Sequence, residues 1–251
     1  MWVEKMDNSS QINWKLFYEK EAEFKRYNPG ECWGVPIRVD LIFDLIPGNN
    51  LHSVLDVGCG DGYLCHILKS KKGIYNVTGI DISEKRIEMG KNLYKDCTFL
   101  AGDAYQIPFD DNSFDLVICS EAIEHLENPL RASKELERVA RKYVLITVPN
   151  NESLVKQSCP YCLKTFFPDG HLCKYDEVKV RALLPEMKII EVKNSRKIKL
   201  YLGSKKHLFD LPYWISNYWR FRYLSHLLSS RVLTFKEIPG SYLGIIAEKF
   251  K

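Results

Sequence analysis

The chain has 251 residues, of which 45% are hydrophobic and 27% are charged, as in an ordinary globular domain with a sizeable core. No run of 18 uncharged apolar residues occurs, which excludes a predicted membrane-spanning helix. The N-terminus lacks the basic start and apolar stretch of a secretory signal, so the eight cysteines are interpreted as reduced thiols in a cytoplasmic protein.

The first fifty residues are expected to form a helical cap. Apolar and aromatic residues recur at helical spacing over residues 10–28, and a second amphipathic pattern covers residues 37–46. The loop between them is rich in glycine and proline. Tyr27 and Trp33 are candidate pocket residues, although packing between the two helices explains them equally well.

Strand and helix patterns alternate over residues 51–150, which predicts a doubly wound, mostly parallel sheet. The expected strands lie near 53–57, 76–81, 97–101, 115–119 and 143–148, and the expected helices near 62–71, 84–94, 121–126 and 130–140. Ligands of such sheets bind at the carboxyl ends of the strands. The polar residues at those ends are Asp56, Asp81, Asp103 and Ser120.

The first predicted strand turns into a helix through a glycine-rich stretch, VLDVGCGDGYL, at residues 54–64. Gly58, Gly60 and Gly62 permit positive φ angles and close approach of a ligand to the backbone. The following helix begins with free N–H groups. The spacing is G-x-G-x-G rather than the G-x-G-x-x-G of dinucleotide-binding enzymes.

Three further runs accompany this loop: GIDIS (79–83), AGDAYQIPF (101–109) and IPFDDNSFDLVICSEAIEHLENP (107–129). Together they resemble the class I S-adenosylmethionine-dependent methyltransferases, specifically the small-molecule type 11 branch, over about residues 50–150. The resemblance implies an α/β, Rossmann-like fold whose seven-stranded sheet has an antiparallel edge, with KIIEVK (188–193) and YLGIIAEKF (242–250) as the last strands. An NAD-binding domain and a fold that has lost its cofactor are the alternatives.

The resemblance also implies S-adenosylmethionine as the cofactor. The glycine loop would lie under its amino-acid end, Asp81 would accept the ribose hydroxyls, and Asp103 and the Ala104 N–H would lie near adenine. The expected cofactor-binding residues are Asp56, Gly58, Cys59, Gly60, Asp81, Ile82, Asp103, Ala104 and Ser120.

The run SEAIEHLENP supplies the candidate catalytic residues. His125 is the candidate general base, with Glu121 near the methyl group, because histidine titrates near neutrality. Capping of a short helix is the alternative role of His125. The pattern Glu121-x-x-Glu124-His125 would also share one helical face. It resembles the metal-binding motif of ubiquinone-pathway O-methyltransferases and small-RNA 3′-end methyltransferases, and its ligands suit Mg²⁺ or Mn²⁺.

Residues 151–187 are expected to form a loop over the active site that contains cysteine and histidine. Its Cys₃His set is typical of structural zinc and consists of Cys159, Cys162, His171 and Cys173. Free thiols are the alternative, with His171 facing the pocket as a substrate or metal contact. The zinc and magnesium hypotheses therefore compete for His171.

The net charge of +4 conceals a basic region near the C-terminus. The segment from Lys188 to Lys236 contains eleven lysines and arginines and two acidic residues. Within residues 188–251, a basic aromatic insertion at about 200–235 is expected to be helical. A lid is its first interpretation, peripheral membrane contact through residues 205–231 the second, and nucleic-acid binding the third.

These patterns lead to a functional hypothesis. We expect an S-adenosylmethionine-dependent transferase that methylates an oxygen of a small, glycan or lipid-linked acceptor. A metal-dependent RNA ribose 2′-O-methyltransferase and a non-catalytic cofactor-binding regulator are the alternatives.

Overall fold

A computed structural model of the chain describes residues 13–24, 34–48, 51–152, 154, 156–158, 163, 165–166, 170–202, 206–212 and 233–250. Its helices are α1 Trp14–Phe24, α2 Gly34–Leu45, α3 Tyr63–Lys72, α4 Glu84–Leu93, α5 Pro129–Val139 and α6 Glu177–Arg181, with one 3₁₀ helix at Ile123–His125. Its strands are β1 Ser53–Val57, β2 Asn76–Asp81, β3 Thr98–Ala101, β4 Phe114–Ser120, β5 Ala140–Pro149, β6 Gln157–Ser158, β7 Thr165–Phe166, β8 Met187–Leu202, β9 Lys206–Pro212 and β10 Leu233–Lys249.

The main sheet has the strand order β3-β2-β1-β4-β5-β10-β8-β9. Strands β1 to β5 are mutually parallel, while β10 runs antiparallel to both β5 and β8. The predicted doubly wound sheet of seven strands with an antiparallel edge is therefore confirmed. Strand β9 adds an eighth strand beyond this set, and β6 pairs with β7 in a separate two-stranded sheet.

The basic insertion departs from its predicted helical structure where it is described. Residues 206–212 form β9, which pairs antiparallel with β8, because β8 and β10 both continue well beyond the core and leave a free edge. The rest of the predicted helix, residues 213–232, lies outside the described residues. The expected membrane contact through this insertion therefore stays a prediction. Among the residues that are described, no helix is long and apolar enough to cross a membrane.

The core lies on both faces of the sheet because buried strands present successive side chains to opposite sides. On one face, Leu55 and Val117 pack with Leu136 of α5 and Val180 of α6. On the other face, a second set of strand residues packs with α2, α3 and α4: Val54, Leu116, Ile118 and Leu145 against Ile42, Leu68 and Ile87. The helices thus hold the strand ends of the sheet in a fixed arrangement.

Candidate active site

A cavity of about 1090 Å³ opens at the carboxyl ends of the central strands. Its wall includes Val57 of β1, Asp81 of β2 and Ser120 of β4. Between β1 and β4 the order of the strands reverses, and the loops on either side diverge to leave a crevice. The cavity therefore lies at the position where parallel α/β sheets bind their ligands.

The glycine loop forms the floor of this cavity. Gly58 has φ +77°, and a Cβ there would lie 2.6 Å from the Cβ of Ala122. Gly62 has φ +83°, and a Cβ there would lie 2.3 Å from the ring of Phe99. The backbone N–H groups of Gly58 and Cys59 both donate to the carbonyl of Ile80, at 2.8 and 3.0 Å. The loop consequently forms a close-packed backbone cradle, in which a larger residue at Gly58 or Gly62 would strike Ala122 or Phe99.

Asp81 fixes the edge of the cradle. Its Oδ2 accepts the N–H of Gly60 and its Oδ1 the N–H of Ser83, each at 2.9 Å. Burial raises its pKa, against the opposing effect of the Ser83 N–H. Both oxygens keep a further lone pair for a ligand.

Most of the predicted cofactor-binding residues lie in the wall of the cavity. Those that line it are Gly58, Cys59, Gly60, Asp81, Ile82, Asp103, Ala104 and Ser120. Asp56 is different: it lies behind the loop, 3.7 Å from the Sγ of Cys65, and burial raises its pKa to about 7. Asp56 is therefore buried beside Cys65 of α3 and is not among the residues that line the cavity.

The second end of the cavity begins where β4 ends. Here the predicted helix over residues 121–126 is wrong, because Glu121 has φ +52° and only residues 123–125 form a 3₁₀ helix. The Glu121 N–H donates to the carbonyl of Thr147, which ties this residue to β5 at 3.0 Å. The expected shared helical face therefore does not exist, and a left-handed turn sets the directions of the side chains.

Glu124 points into the protein interior. Its side chain is 1% exposed, and neither carboxylate oxygen has a hydrogen bond from the described residues. Burial, followed by the charge of Glu121, holds its pKa well above the usual range. Burial also raises the pKa of Glu121 to about 7, although the charge of Arg38 opposes the shift. A buried carboxylate of this kind requires a proton or a cation.

His125 and His171 meet beside Glu124. Their ring centroids are 4.7 Å apart, and one ligand atom from each of Glu124, His125 and His171 lies within 4.8 Å of the other two. The backbone N–H of Leu172 donates to the carbonyl of Glu124 at 2.8 Å, which holds the segment around His171 against the 3₁₀ helix. One carboxylate and two imidazoles form a donor set that suits a first-row divalent ion such as Mn²⁺, Fe²⁺ or Zn²⁺, whereas the expected Mg²⁺ prefers oxygen ligands.

Helix α1 closes the cavity from the side. The indole N–H of Trp14 donates to Glu127 at 3.1 Å, and the ring of Tyr18 lies 5.9 Å from that of His125. The helical pattern of the first fifty residues predicted a cap, but the candidate pocket residues Tyr27 and Trp33 lie outside the described residues. The apolar spacing of α1 was a usable signal for Trp14 and Tyr18, whereas nothing local distinguished Arg38, which also lines the cavity.

The structural zinc hypothesis stays a prediction. Cys159 and Cys162 fall outside the part of the chain that the structure describes. Cys173 is partly buried and packs against the hydrophobic core, whereas His171 lines the cavity.

Comparison with known proteins agrees with this geometry. Residues 55–146 match a family described as "Methyltransferase domain". The demethylmenaquinone methyltransferase of Thermotoga maritima is 28% identical over 164 residues, which cover 60% of this chain and 72% of that protein. Norajmaline N-methyltransferase of Rauvolfia serpentina is 29% identical over 140 residues, covering 53% of this chain and 44% of that enzyme.

Residues 55–146 match the methyltransferase family, and together with the relatives they support a class I S-adenosylmethionine-dependent methyltransferase of type 11. The matched segment contains the glycine loop, Asp81, Asp103 and the turn at Glu121, so it spans the cofactor cradle. A solved S-adenosylmethionine-dependent methyltransferase of Thermotoga maritima, described as a possible histamine N-methyltransferase, has the same fold. Its TM-score is 0.59 at 18% identity, over 94% of this chain and 99% of that one.

The cofactor of the family is S-adenosylmethionine, and the methyltransferase has residues that fit it. The backbone of Gly58, Cys59 and Gly60 borders the cavity, and Asp81 offers carboxylate oxygens at the carboxyl end of β2. The bound cofactor supplies a methyl group already activated by a sulfonium. The protein then has to position an acceptor and remove its proton.

Proposed function

We propose that the protein methylates a hydroxyl oxygen of a small acceptor, and that Glu124, His125 and His171 hold a divalent metal ion beside the acceptor. The observation that carries this proposal is the buried carboxylate of Glu124, which lacks a hydrogen-bonding partner among the described residues and adjoins two imidazoles. A cation would balance the charge that this carboxylate acquires on losing its proton.

The remaining residues at this end support the same role. Glu121 lines the cavity next to the cluster, with Oε1 buried and without a hydrogen bond from the described residues, so it can contact the acceptor or the ion. Tyr18 and Trp14 cover the cluster from α1 and limit the entry of water. A bound divalent ion would lower the pKa of a coordinated hydroxyl by acting as a Lewis acid.

Metal-free base catalysis by His125 is the other form of this proposal. His125 lines the same cavity, so it could accept the acceptor's proton directly without a metal ion. The two forms differ in their response to chelation, because only the first requires a bound metal ion.

The experiment is a methylation assay with labelled S-adenosylmethionine, on protein purified without chelator. Acceptors with two neighbouring hydroxyls, with one hydroxyl, and with an RNA 3′ end are compared, each with EDTA and with added Mg²⁺ or Mn²⁺. We expect a small acceptor with neighbouring hydroxyls to be methylated, EDTA to abolish turnover and Mn²⁺ to restore it. Preference for the RNA 3′ end would favour the ribose 2′-O-methyltransferase alternative instead.

Variants of single residues distinguish metal-dependent methylation from metal-free base catalysis by His125. Glu124→Gln should lose at least 100-fold in turnover, while Glu88→Gln, on the exposed face of α4, should behave as wild type. Turnover that survives both EDTA and Glu124→Gln but is lost in His125→Ala would contradict the metal site and support base catalysis. Cofactor binding without transfer to any acceptor would favour the non-catalytic regulator.

A further inference from the structure

Glu152 makes a close contact with His171 and is not one of the three residues proposed to hold the metal ion. Its Oε2 lies 2.5 Å from the Nδ1 of His171, across nineteen residues of chain. The His171 side chain is 17% exposed and that of Glu152 is 36% exposed, and both line the cavity. The contact therefore lies in the wall of the site and not on the outer surface of the protein.

The contact determines which nitrogen of His171 is left for the cluster. In a neutral imidazole, one ring nitrogen carries the proton and the other carries the lone pair. A carboxylate accepts hydrogen bonds only, so Glu152 favours the tautomer with the proton on Nδ1. Nε2 then keeps its lone pair and is the nitrogen available to Glu124, His125 or an ion between them.

The backbone on either side of His171 is already fixed. Gly170 is buried with φ +71°, and a Cβ there would lie 3.3 Å from the Nδ1 of His125. On the other side, the N–H groups of Leu172 and Cys173 both donate to the carbonyl of Glu124. The fixed backbone does not determine the rotation or the tautomer of the His171 imidazole. The contact with Glu152 restricts both.

We propose that Glu152 is a positioning residue that holds His171 in the Nδ1–H tautomer, so that Nε2 faces Glu124 and His125. This inference rests on the proposed function, because that function places the acceptor at the same cluster. Outer carboxylates that orient a metal-binding histidine act in this way in other proteins. Glu152 comes from the segment just after β5, so it links the end of that strand to His171.

The first test measures the tautomer directly in metal-free protein labelled with ¹⁵N-histidine. Long-range ¹H–¹⁵N spectra at pH 8 identify the protonated nitrogen of each neutral ring, and His171→Asn assigns the signals. We expect wild type to carry the His171 proton on Nδ1. Glu152→Ala should shift His171 towards the Nε2–H tautomer that an unrestrained histidine favours in water, while Glu88→Ala should change nothing.

The second test measures Mn²⁺ affinity by titration of the same variants, after melting curves show that they are folded. We expect Glu152→Ala to weaken binding 10- to 100-fold. Glu152→Gln should weaken it less, because the amide oxygen still accepts from Nδ1–H. Wild-type affinity in Glu152→Ala would overturn the positioning role.

The two proposals can fail separately. If the wild-type protein binds no Mn²⁺ and methylates its acceptor without a metal ion, the metal site is contradicted. The inference about Glu152 is still tested in that case, because the tautomer of His171 is measured in metal-free protein. A His171 proton on Nε2 in wild type, or an unchanged tautomer in Glu152→Ala, overturns that inference whatever the metal result.

Discussion

At the scale of single residues, the carboxylate of Asp81 accepts two backbone hydrogen bonds and can accept two more from a ligand. Each oxygen accepts one backbone N–H from the loops beside it, and the same oxygens border the cavity. Removing the carboxylate therefore loosens the glycine cradle and deletes the acceptors that the family resemblance assigns to the cofactor ribose. Hydrogen bonds to a charged group contribute about 1.5–3 kcal/mol each.

We predict that Asp81→Ala raises the dissociation constant for S-adenosylmethionine by roughly 10- to 100-fold, as expected from the loss of one such bond. Asp81→Asn should have a smaller effect because one oxygen remains. The measurement is isothermal titration calorimetry, with Asp110→Asn on an exposed turn as the control. Unchanged affinity in Asp81→Ala would remove Asp81 from the cofactor site.

Gly58 is constrained in two ways, by its backbone angle and by the side chain of Ala122. We predict that Gly58→Ala lowers the free energy of unfolding by about 2–4 kcal/mol. About 1 kcal/mol of this loss comes from the positive φ angle, and about 1–3 kcal/mol comes from overpacking against Ala122. Gly73→Ala has a positive φ of +68° but nothing within 4 Å of the added Cβ, so it should show the backbone cost alone.

The double variant Gly58→Ala with Ala122→Gly separates these contributions in urea denaturation. Because Ala122→Gly removes the Cβ that Gly58→Ala would strike, it should recover most of the difference between Gly58→Ala and Gly73→Ala. Additive losses in the double variant would mean that the contact with Ala122 does not limit the loop.

At the scale of secondary-structure elements, Asp115 joins the beginnings of three central strands. Its side chain is 1% exposed and accepts the N–H groups of His52 and Ser53 ahead of and in β1. It also pairs with Arg141 and Lys142 of β5, at 2.9 and 3.0 Å. Burial opposes its ionisation, but the N–H of His52 and the two cations outweigh that effect and lower its pKa.

We predict that Asp115→Asn destabilises the fold by about 2 kcal/mol near pH 7, because it removes charge-assisted hydrogen bonds at a buried position. A pKa lowered on folding stabilises the native state above the unfolded value near 3.9, and this contribution disappears as the pH falls through the lower native value. The difference between wild type and Asp115→Asn should therefore shrink from pH 6 to pH 2 in denaturation measurements. A difference that stays constant with pH would show that the charge is not responsible.

At the scale of the whole molecule, the candidate metal cluster joins three parts of the chain. Glu124 and His125 follow β4, while His171 and the Glu152 that contacts it come from the segment after β5. An ion held there would stabilise the native state relative to the unfolded chain, since an unfolded chain does not bring these ligands together.

We predict that Mn²⁺ at about 100 times its dissociation constant raises the free energy of unfolding by about 2.7 kcal/mol. Such an increase corresponds to a rise of roughly 5–10 °C in the melting temperature of a chain of this size. The rise should be absent in Glu124→Gln and retained in Glu88→Gln, by differential scanning fluorimetry. An equal rise in Glu124→Gln would place the ion elsewhere.

The amino-acid sequence by itself predicted the parallel sheet and the glycine-rich turn after its first strand. Alternating strand and helix patterns placed Asp81 and Asp103 at strand ends, and the family resemblance selected them and Gly58 as cofactor-binding residues. Parallel strands bring such positions to one edge, so local patterns are sufficient there.

The tertiary structure alone decided the arrangement of residues around Glu124 and His171. The positive φ of Glu121, set by its bond to Thr147, replaced the predicted helix and turned Glu124 inward. The free edge of β8 made residues 206–212 a strand, against their predicted helical structure. The meeting of His171 with His125, and of Glu152 with His171, depends on the path of the long segment after β5. No local periodicity encodes such contacts, because they form only when distant parts of the chain pack together.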